Sequence, residues 1–336
     1  MIQVPSLYCP CEPGMSQHAE AMNQSTLQWA QQFQLLSSEA ALERFKKANF
    51  ALLTARAFPV TENLEAMFAV NDFTTWLFLF DDQVDEGLEG KKEEYLEVLT
   101  AKLIEVMVSD PADTVRYAAT LPLAAGLSDV WQRLRPLGDT AWQTRFANRV
   151  SEYLQACIWE AKNREQRVFP TIEQYTVARI YTGAVFTQLE LIEAMYDIKL
   201  PRTIIQHEIV QQLAWATAQL LAFSNDIFSA PKEMEQNDVH NLVILIQNER
   251  KVSFQEALML AADLHNSTMR TFEALEQWLP SFDDAINEQL RRYVLGLRYW
   301  IRANFDWSLK DTTRYGLTPP IEKDNGYWSF STKVKV

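Results

Sequence analysis

The sequence predicts an all-α protein, a single-domain antiparallel helical bundle over residues 1–336. Three observations carry that reading. Hydrophobic residues make up 48% of the 336 positions, enough for a large core and too many for a disordered chain. Glycine occurs only 9 times, too few for the turns and phosphate loops of a β-rich or doubly wound protein. From about Leu27 onward apolar residues recur at helical spacing, and no sustained period-2 segment interrupts them.

Taken in order, residues 1–24 hold Pro5, Pro10 and Pro13 with few periodic positions, and read as an N-terminal strap. Cys9-Pro10-Cys11 lies in it without a second Cys or His pair at zinc spacing, so reduced thiols in a mobile strap are expected. Leu42, Phe45, Asn49, Leu52 and Leu53 then lie on one helical stripe. Asp110-Pro111 sets an N-cap before a proline at the first helical position. Thr171 to Gln174 and Ser253 to Glu256 both fit the capping box, and Pro280-Ser281 opens a further helix. Roughly ten helices result. Asn325-Gly326 falls in the C-terminal tail, 316–336, outside any alternating run, so no hairpin is predicted there. No repeat, low-complexity tract or linker supports a second domain.

The formal net charge is −13, which disfavours nucleic acid as a partner. It leaves room for a phosphorylated small molecule, because carboxylates can hold metal ions that in turn hold phosphates. The start, Met1-Ile2-Gln3-Val4-Pro5, lacks the basic and apolar regions of a signal peptide, and the cysteine count is odd, so a cytoplasmic, reducing location is expected. No apolar run reaches the ~20 residues that span a bilayer; Ala214–Phe223 is too short.

The segment from Asn71 to Phe80 becomes strongly apolar and runs into Asp81-Asp82-Gln83-Val84-Asp85-Glu86, with no basic residue before Lys91. Such crowding repels along a helix and opposes the dipole at its C-terminal end. Cations must compensate, or the group is simply a solvated helix end. Asp81 and Asp85 are one turn apart, above Leu77, Phe78, Phe73 and Thr74, and an acidic rim over an apolar wall fits the mouth of a pocket.

A second polar stripe follows the apolar run Leu220–Phe223. Asn225, Ser229 and Glu233 stand at i, i+4 and i+8, drifting by about 40° per step on one helix face. An amide, a hydroxyl and a carboxylate are hard oxygen donors that suit Mg²⁺. A polar face on an amphipathic helix would look the same; the pairing with the first cluster, across a bundle cavity, favours a site. Pro231 predicts a local bend or break, and Lys232 flanks the stripe as a phosphate donor.

At this point the sequence resembles a bacterial-type class I terpene synthase. Asp81-Asp82-Gln83-Val84-Asp85-Glu86 is similar to that family's aspartate-rich motif, and Asn225, Ser229 and Glu233, with Lys232, to its second metal-binding triad. Pro170, Tyr175 and Arg179 resemble the segment that carries a diphosphate-sensing arginine. Thr182 and Gly183 resemble the linker and effector positions at a helix break, though Thr182 stands where aspartate is frequent. Asn304-Phe305-Asp306-Trp307 and Thr313-Arg314-Tyr315 resemble the family's C-terminal segment. The matches run in order from about residue 70 to 315.

The resemblance implies the class I terpenoid synthase bundle and three Mg²⁺ ions, held by Asp81, Asp82, Asp85 and Glu86 on one side and by Asn225, Ser229 and Glu233 on the other. It implies that Arg179, Asn225, Lys232, Arg314 and Tyr315 bind the diphosphate of a linear isoprenyl substrate, and that the Gly183 carbonyl faces the allylic cation. The cavity must be dry. Its expected lining is Phe73, Leu77, Phe78, Phe186, Phe223, Trp300 and Trp307, because aromatic faces attract cations; Phe78 and Trp307 are the favoured pair, and Tyr293, Trp300 and Trp307 share one face at seven-residue spacing. The expected activity is a carbon–oxygen lyase: Mg²⁺-dependent ionisation of farnesyl diphosphate (C15), then cyclisation. Geranylgeranyl diphosphate (C20) and a C10 chain are alternative substrates. Rival readings are an isoprenyl diphosphate synthase, which needs a second aspartate-rich motif that is absent, and a non-catalytic helical scaffold. A class II cyclase lacks its DxDD acid, and dinucleotide or P-loop enzymes lack their glycines. His18, His207, His240 and His265 are scattered and supply no metal pair. A homodimer remains open.

Overall fold

The computed structural model describes residues 2–86, 93–109, 117, 119–236 and 238–332. Helices follow one another as α1 (Ala19–Gln32), α2 (Glu39–Ala48), α3 (Phe50–Ala57), α4 (Leu64–Glu86), α5 (Glu93–Val108), α6 (Pro122–Leu134) and α7 (Thr140–Gln166). The second half holds α8 (Ile172–Thr182), α9 (Val185–Met195), the single turn α10 (Arg202–Ile205), α11 (Glu208–Glu235), α12 (Leu242–Arg250), α13 (Phe254–Gln277) and α14 (Asp284–Asp306). A π-helical turn, Trp307–Asp311, widens the end of α14. The all-α expectation holds, with more helices than the predicted ten because breaks divide longer stripes. Asn49, at φ 52°, separates α2 from α3 within the stripe read as continuous.

Helices α4 and α11 carry the two motifs, and both are apolar on almost every side. Met67, Val70, Phe73, Trp76, Leu77 and Phe80 are buried along α4. Along α11 burial runs with few gaps from Val210 to Pro231. A helix hydrophobic all round must sit inside others: α1, α3 and α6 pack on α4, while α12, α13 and α14 pack on α11. The polar residues near the C-terminal ends of α4 and α11 therefore emerge at an opening in the bundle. Helix α11 continues through Pro231, so the predicted break does not occur; the missing N–H costs one hydrogen bond, which surrounding packing tolerates.

Both predicted capping boxes form, with Thr171 and Gln174 starting α8 and Ser253 and Glu256 starting α13. Helix α14 starts later than Pro280-Ser281 suggested, at Asp283, whose carboxylate accepts from Ile286 N. The Asp110-Pro111 cap lies outside the described residues.

The strap departs from expectation. Ile2–Tyr8 is a strand, β1, and α1 already begins at Ala19. Two further strands, β2 (Ile321–Lys323) and β3 (Tyr327–Thr332), complete an antiparallel sheet in the order β1-β3-β2. Asn325 and Gly326, both at positive φ, make the β2–β3 turn, so the Asn-Gly pair is a hairpin signal after all. A bulge between Val4 and Leu7 hides β1 from a period-2 search, since the two buried side chains are three residues apart. Pro5 sits in that irregular stretch, where no ladder bond is lost. The sheet packs on α13, and Cys9 and Cys11 are buried beneath it as free thiols rather than in a mobile strap.

Candidate active site

The site begins with a buried aspartate. Asp226 is fully buried on α11, and two groups of α8, one turn apart, converge on it: Tyr175 donates to Oδ2 at 2.8 Å and Arg179 Nε to Oδ1 at 2.8 Å. The Leu242 amide donates to Oδ2 at 2.9 Å. Burial pushes the Asp226 pKa up, and the Arg179 guanidinium opposes that shift. Burial by itself would lower the basicity of Arg179, but Asp226 together with Tyr175, Glu160 and Glu233 outweighs this and holds it charged well above its ordinary value. The ion pair therefore fixes the guanidinium with one edge free for another partner.

That edge faces Asn225. Arg179 Nη2 donates to Asn225 Oδ1 at 2.8 Å, and Asn225 Nδ2 donates to the Tyr315 hydroxyl at 2.9 Å. Ser229 Oγ donates to Asn225 O at 2.9 Å. Glu233 Oε2 accepts from Asn241 Nδ2 at 2.7 Å, and Asn241 also caps α12 by accepting from Val243 N. Asn225, Ser229 and Glu233 thus lie along one face of α11 with oxygen lone pairs to spare. Burial and the nearby Asp226 push the Glu233 carboxyl up to about 8. A cation here would favour the charged carboxylate that burial disfavours, and the hard-oxygen set suits Mg²⁺. Among the described residues no three His, Cys, Asp or Glu side chains converge on one point, so the donor set depends on Asn225 and Ser229.

Across the opening stands the end of α4. Asp81 is exposed and lines the cavity, whereas Asp82 points away and is paired with Arg314, Nη2 to Oδ1 at 2.8 Å. Asp82 therefore sits in an ion pair here rather than on the cavity wall. Its position on the helix, about 100° from Asp81, is the reason. The side chains of Asp85 and Glu86 lie outside the described residues. Arg314 also lies over the rings of Phe50 and Phe78, 5.7 Å from each centroid. Lys232 is half-buried beside the stripe.

Below the rim the cavity is lined by Leu53, Leu77, Phe78, Leu221, Ala222 and Trp300, with Thr74, Gln188 and Asn304 as polar points in the wall. Of the predicted lining residues, Leu77, Phe78 and Trp300 face it. Phe73 does not; it packs outward on Phe146 and Trp76. Phe186 lies against Tyr181, Trp215 and Arg149, and Phe223 is buried on another face of α11. Trp307 sits one layer back, against Phe50, Phe78 and Tyr315, its indole donating to Ala48 O and Asn49 O at 3.0 Å. Side-chain periodicity gives a helix face but not which neighbour covers it. Thr182 and Gly183 line the cavity at the break between α8 and α9, where Ala184 holds a positive φ of 54°. A Cβ on Gly183 would stand 3.2 Å from Arg179 O.

Residues 72–271 match the family model described as terpene synthase family 2, C-terminal metal binding. The chain belongs to that family. The synthase is 37% identical over 312 residues to a (+)-T-muurolol synthase of Roseiflexus castenholzii, covering 93% of this chain and 94% of that one. It is 32% identical to a 10-epi-cubebol synthase of Sorangium cellulosum, over 92% and 97% of the two chains. The solved germacradien-4-ol synthase of Streptomyces citricolor shares the fold, with a TM-score of 0.79 at 24% identity over 90% of this chain and 98% of that one. The synthase is thus a class I terpene synthase, a terpene cyclase of the metal-binding type, and the scaffold and chain-condensing readings fall away. Among the described residues no helix is long and apolar enough to cross a membrane.

Asp226 and Asn241 escaped the sequence reading. Asp226 adjoins Asn225 but is turned about 100° around α11, into α8 and α12. The signal was there: Tyr175 and Arg179 at i and i+4 need a common acceptor. Asn241 looked like an ordinary cap because its second role crosses eight residues to Glu233.

Proposed function

We propose that the synthase ionises farnesyl diphosphate and cyclises the C15 cation, acting as a carbon–oxygen lyase with three Mg²⁺ ions. The observation that carries this is the chain Asp226–Arg179–Asn225–Tyr315 standing opposite Asp81 at the mouth of an apolar cavity. Two relatives add support to the C15 choice: the (+)-T-muurolol synthase is named for cyclising (2E,6E)-farnesyl diphosphate, and so is a 4-epi-cubebol synthase of Streptosporangium roseum, 29% identical over 94% of this chain.

In this reading Asp81 with Asp85, and Asn225 with Ser229 and Glu233, would hold Mg²⁺, which would supply the Lewis acidity for a departing diphosphate. Arg179, already oriented by Asp226, turns its free edge from Asn225 to a diphosphate oxygen. That exchange releases Asn225 Oδ1 for its ligand role. Arg314 exchanges Asp82 for the diphosphate in the same way, and the Tyr315 hydroxyl and Lys232 add donors from the rim. Leu77, Phe78 and Trp300 exclude water from the cation, and the aromatic faces attract it.

Incubation with C10, C15 and C20 diphosphates, with Mg²⁺ or with chelator, and gas chromatography–mass spectrometry of the extract tests the reading. A Mg²⁺-dependent cyclic C15 product is expected. A product from the C20 substrate alone overturns the chain length, and none from any substrate overturns the activity.

A further inference from the structure

We propose that the side-chain carbonyls of Gln188 and Asn304 fix where positive charge rests on the bound chain, and so select among the cyclic products. This deepens, and rests on, the cyclase reading above. Below its rim the cavity wall is apolar apart from the hydroxyls of Thr74, Tyr153 and Thr182 and these two amides, the only amide side chains there among the described residues, and both are more than nine-tenths buried.

Each amide is held by a helix hydroxyl that has already used its proton. Ser224 Oγ donates to Leu220 O, one turn back, at 2.6 Å. Only its lone pairs remain, and it accepts from Asn304 Nδ2 at 3.0 Å. The second Nδ2 proton is directed towards Leu221 O at 3.4 Å. Both Asn304 protons are thus engaged, and Oδ1 is the end left to the cavity. The same arrangement recurs on the other wall. Thr74 Oγ1 donates to Val70 O, one turn back, at 3.0 Å, and lies 3.2 Å from Gln188 Oε1. One proton cannot serve both acceptors. Turning the Gln188 amide by 180° removes the conflict: Nε2 donates to Thr74 Oγ1, and the carbonyl faces the cavity.

Two buried carbonyls then meet no donor among the described residues. Leaving an acceptor unpaired costs free energy, and a hydrocarbon chain offers no donor in return. A carbocation does answer it, because the negative end of an amide dipole attracts positive charge strongly where water is excluded. The two posts lie at different depths. Thr74, which holds Gln188, is seven residues before Asp81, ~10 Å down α4. Leu221, beside Asn304, is four residues before Asn225, ~6 Å down α11. Asn304 therefore attends the charge near the leaving group, and Gln188 attends it at the distal end of the chain after ring closure.

Gln188→Met and Asn304→Leu keep volume and remove the dipole. With farnesyl diphosphate and Mg²⁺, diphosphate release and the product mixture are measured together. The expected result is a loss of release below about tenfold, with the main product's share falling about fivefold or more in favour of products from earlier cations. Thr74→Val and Ser224→Ala keep the amides but free their orientation, and a smaller shift in the same direction is expected. A side chain that only fills space leaves the ratios unchanged in the volume-conserving variants, and that result overturns the proposal. Should those variants fail to fold, unchanged ratios in Thr74→Val and Ser224→Ala overturn it instead. Absence of diphosphate release from the unaltered protein sinks the cyclase reading itself, a separate outcome.

Discussion

Arg179 shows how much of this site depends on single groups placed in opposition. Its Nε is committed to a buried aspartate and its Nη2 to an amide, so one edge of the fork is fixed and the other is the one left to take a new partner. Lysine can supply the charge but not the fork. Arg179→Lys is expected to reduce diphosphate release about 10²-fold or more in a coupled assay while the protein stays folded. His265 makes a different prediction. It is buried on α13 beside Asn266, and burial lowers its pKa to about 4 from 6.5. The unfolded chain takes up a proton below pH 6.5 that the folded form refuses, so stability falls as pH drops from about 6.5 towards 4. Between pH 7.5 and 5.5 this amounts to roughly 1.3 kcal/mol. His265→Gln flattens that part of the urea-midpoint profile; an equal pH dependence in both proteins would remove His265 as the cause.

At the scale of elements, the site lies between α4, α8, α11 and α14. The capping residues that start α8 and α12 do more than begin helices. Thr171 sets the phase of α8, and with it the direction of Tyr175 and Arg179. Asn241 starts α12 and holds Glu233 across the gap. Asn241→Ala is expected to cost about 1 kcal/mol of stability through the lost cap. It should also raise the Mg²⁺ concentration needed for half-maximal rate, because Glu233 loses its orienting donor. A stability change with an unaltered Mg²⁺ requirement would confine Asn241 to capping. The small sheet has its own test. Leu7 is fully buried between β3 and α13, and Leu7→Ala should lower stability by about 2–5 kcal/mol in denaturant titrations. The same sheet holds the segment that follows Tyr315, so the two chain ends brace one side of the mouth.

For the whole molecule, the arrangement gathers groups whose pairing a bound metal and diphosphate would change. Glu233 is pushed up to about 8, with Asp226 close by, while Arg179 is paired with Asp226 and Arg314 with Asp82. If Mg²⁺ and inorganic diphosphate bind the folded form as proposed, together they should raise the melting temperature by several degrees. Chelator should abolish the rise, and diphosphate without the metal should produce little of it. A shift of equal size without Mg²⁺ would argue against metal bridging between protein and diphosphate.

The sequence by itself determined the helical class, the capping boxes at Thr171 and Ser253, the second polar stripe and the position of the first acidic cluster. Each of these depends on spacing along one chain: three to four residues for a helix face, three for a capping box, four and eight for the stripe. The tertiary structure decided what those faces meet. Only packing turns Asp82 to Arg314 and leaves Asp81 at the cavity, or places Phe78 and Trp300 on the wall while Phe73, Phe186 and Trp307 fall behind it. Asp226 gained its role from α8 and α12, and β1 from a partner strand more than 300 residues away. A helix face is a local property of the backbone, but the neighbour that covers it is chosen by the burial of the whole chain.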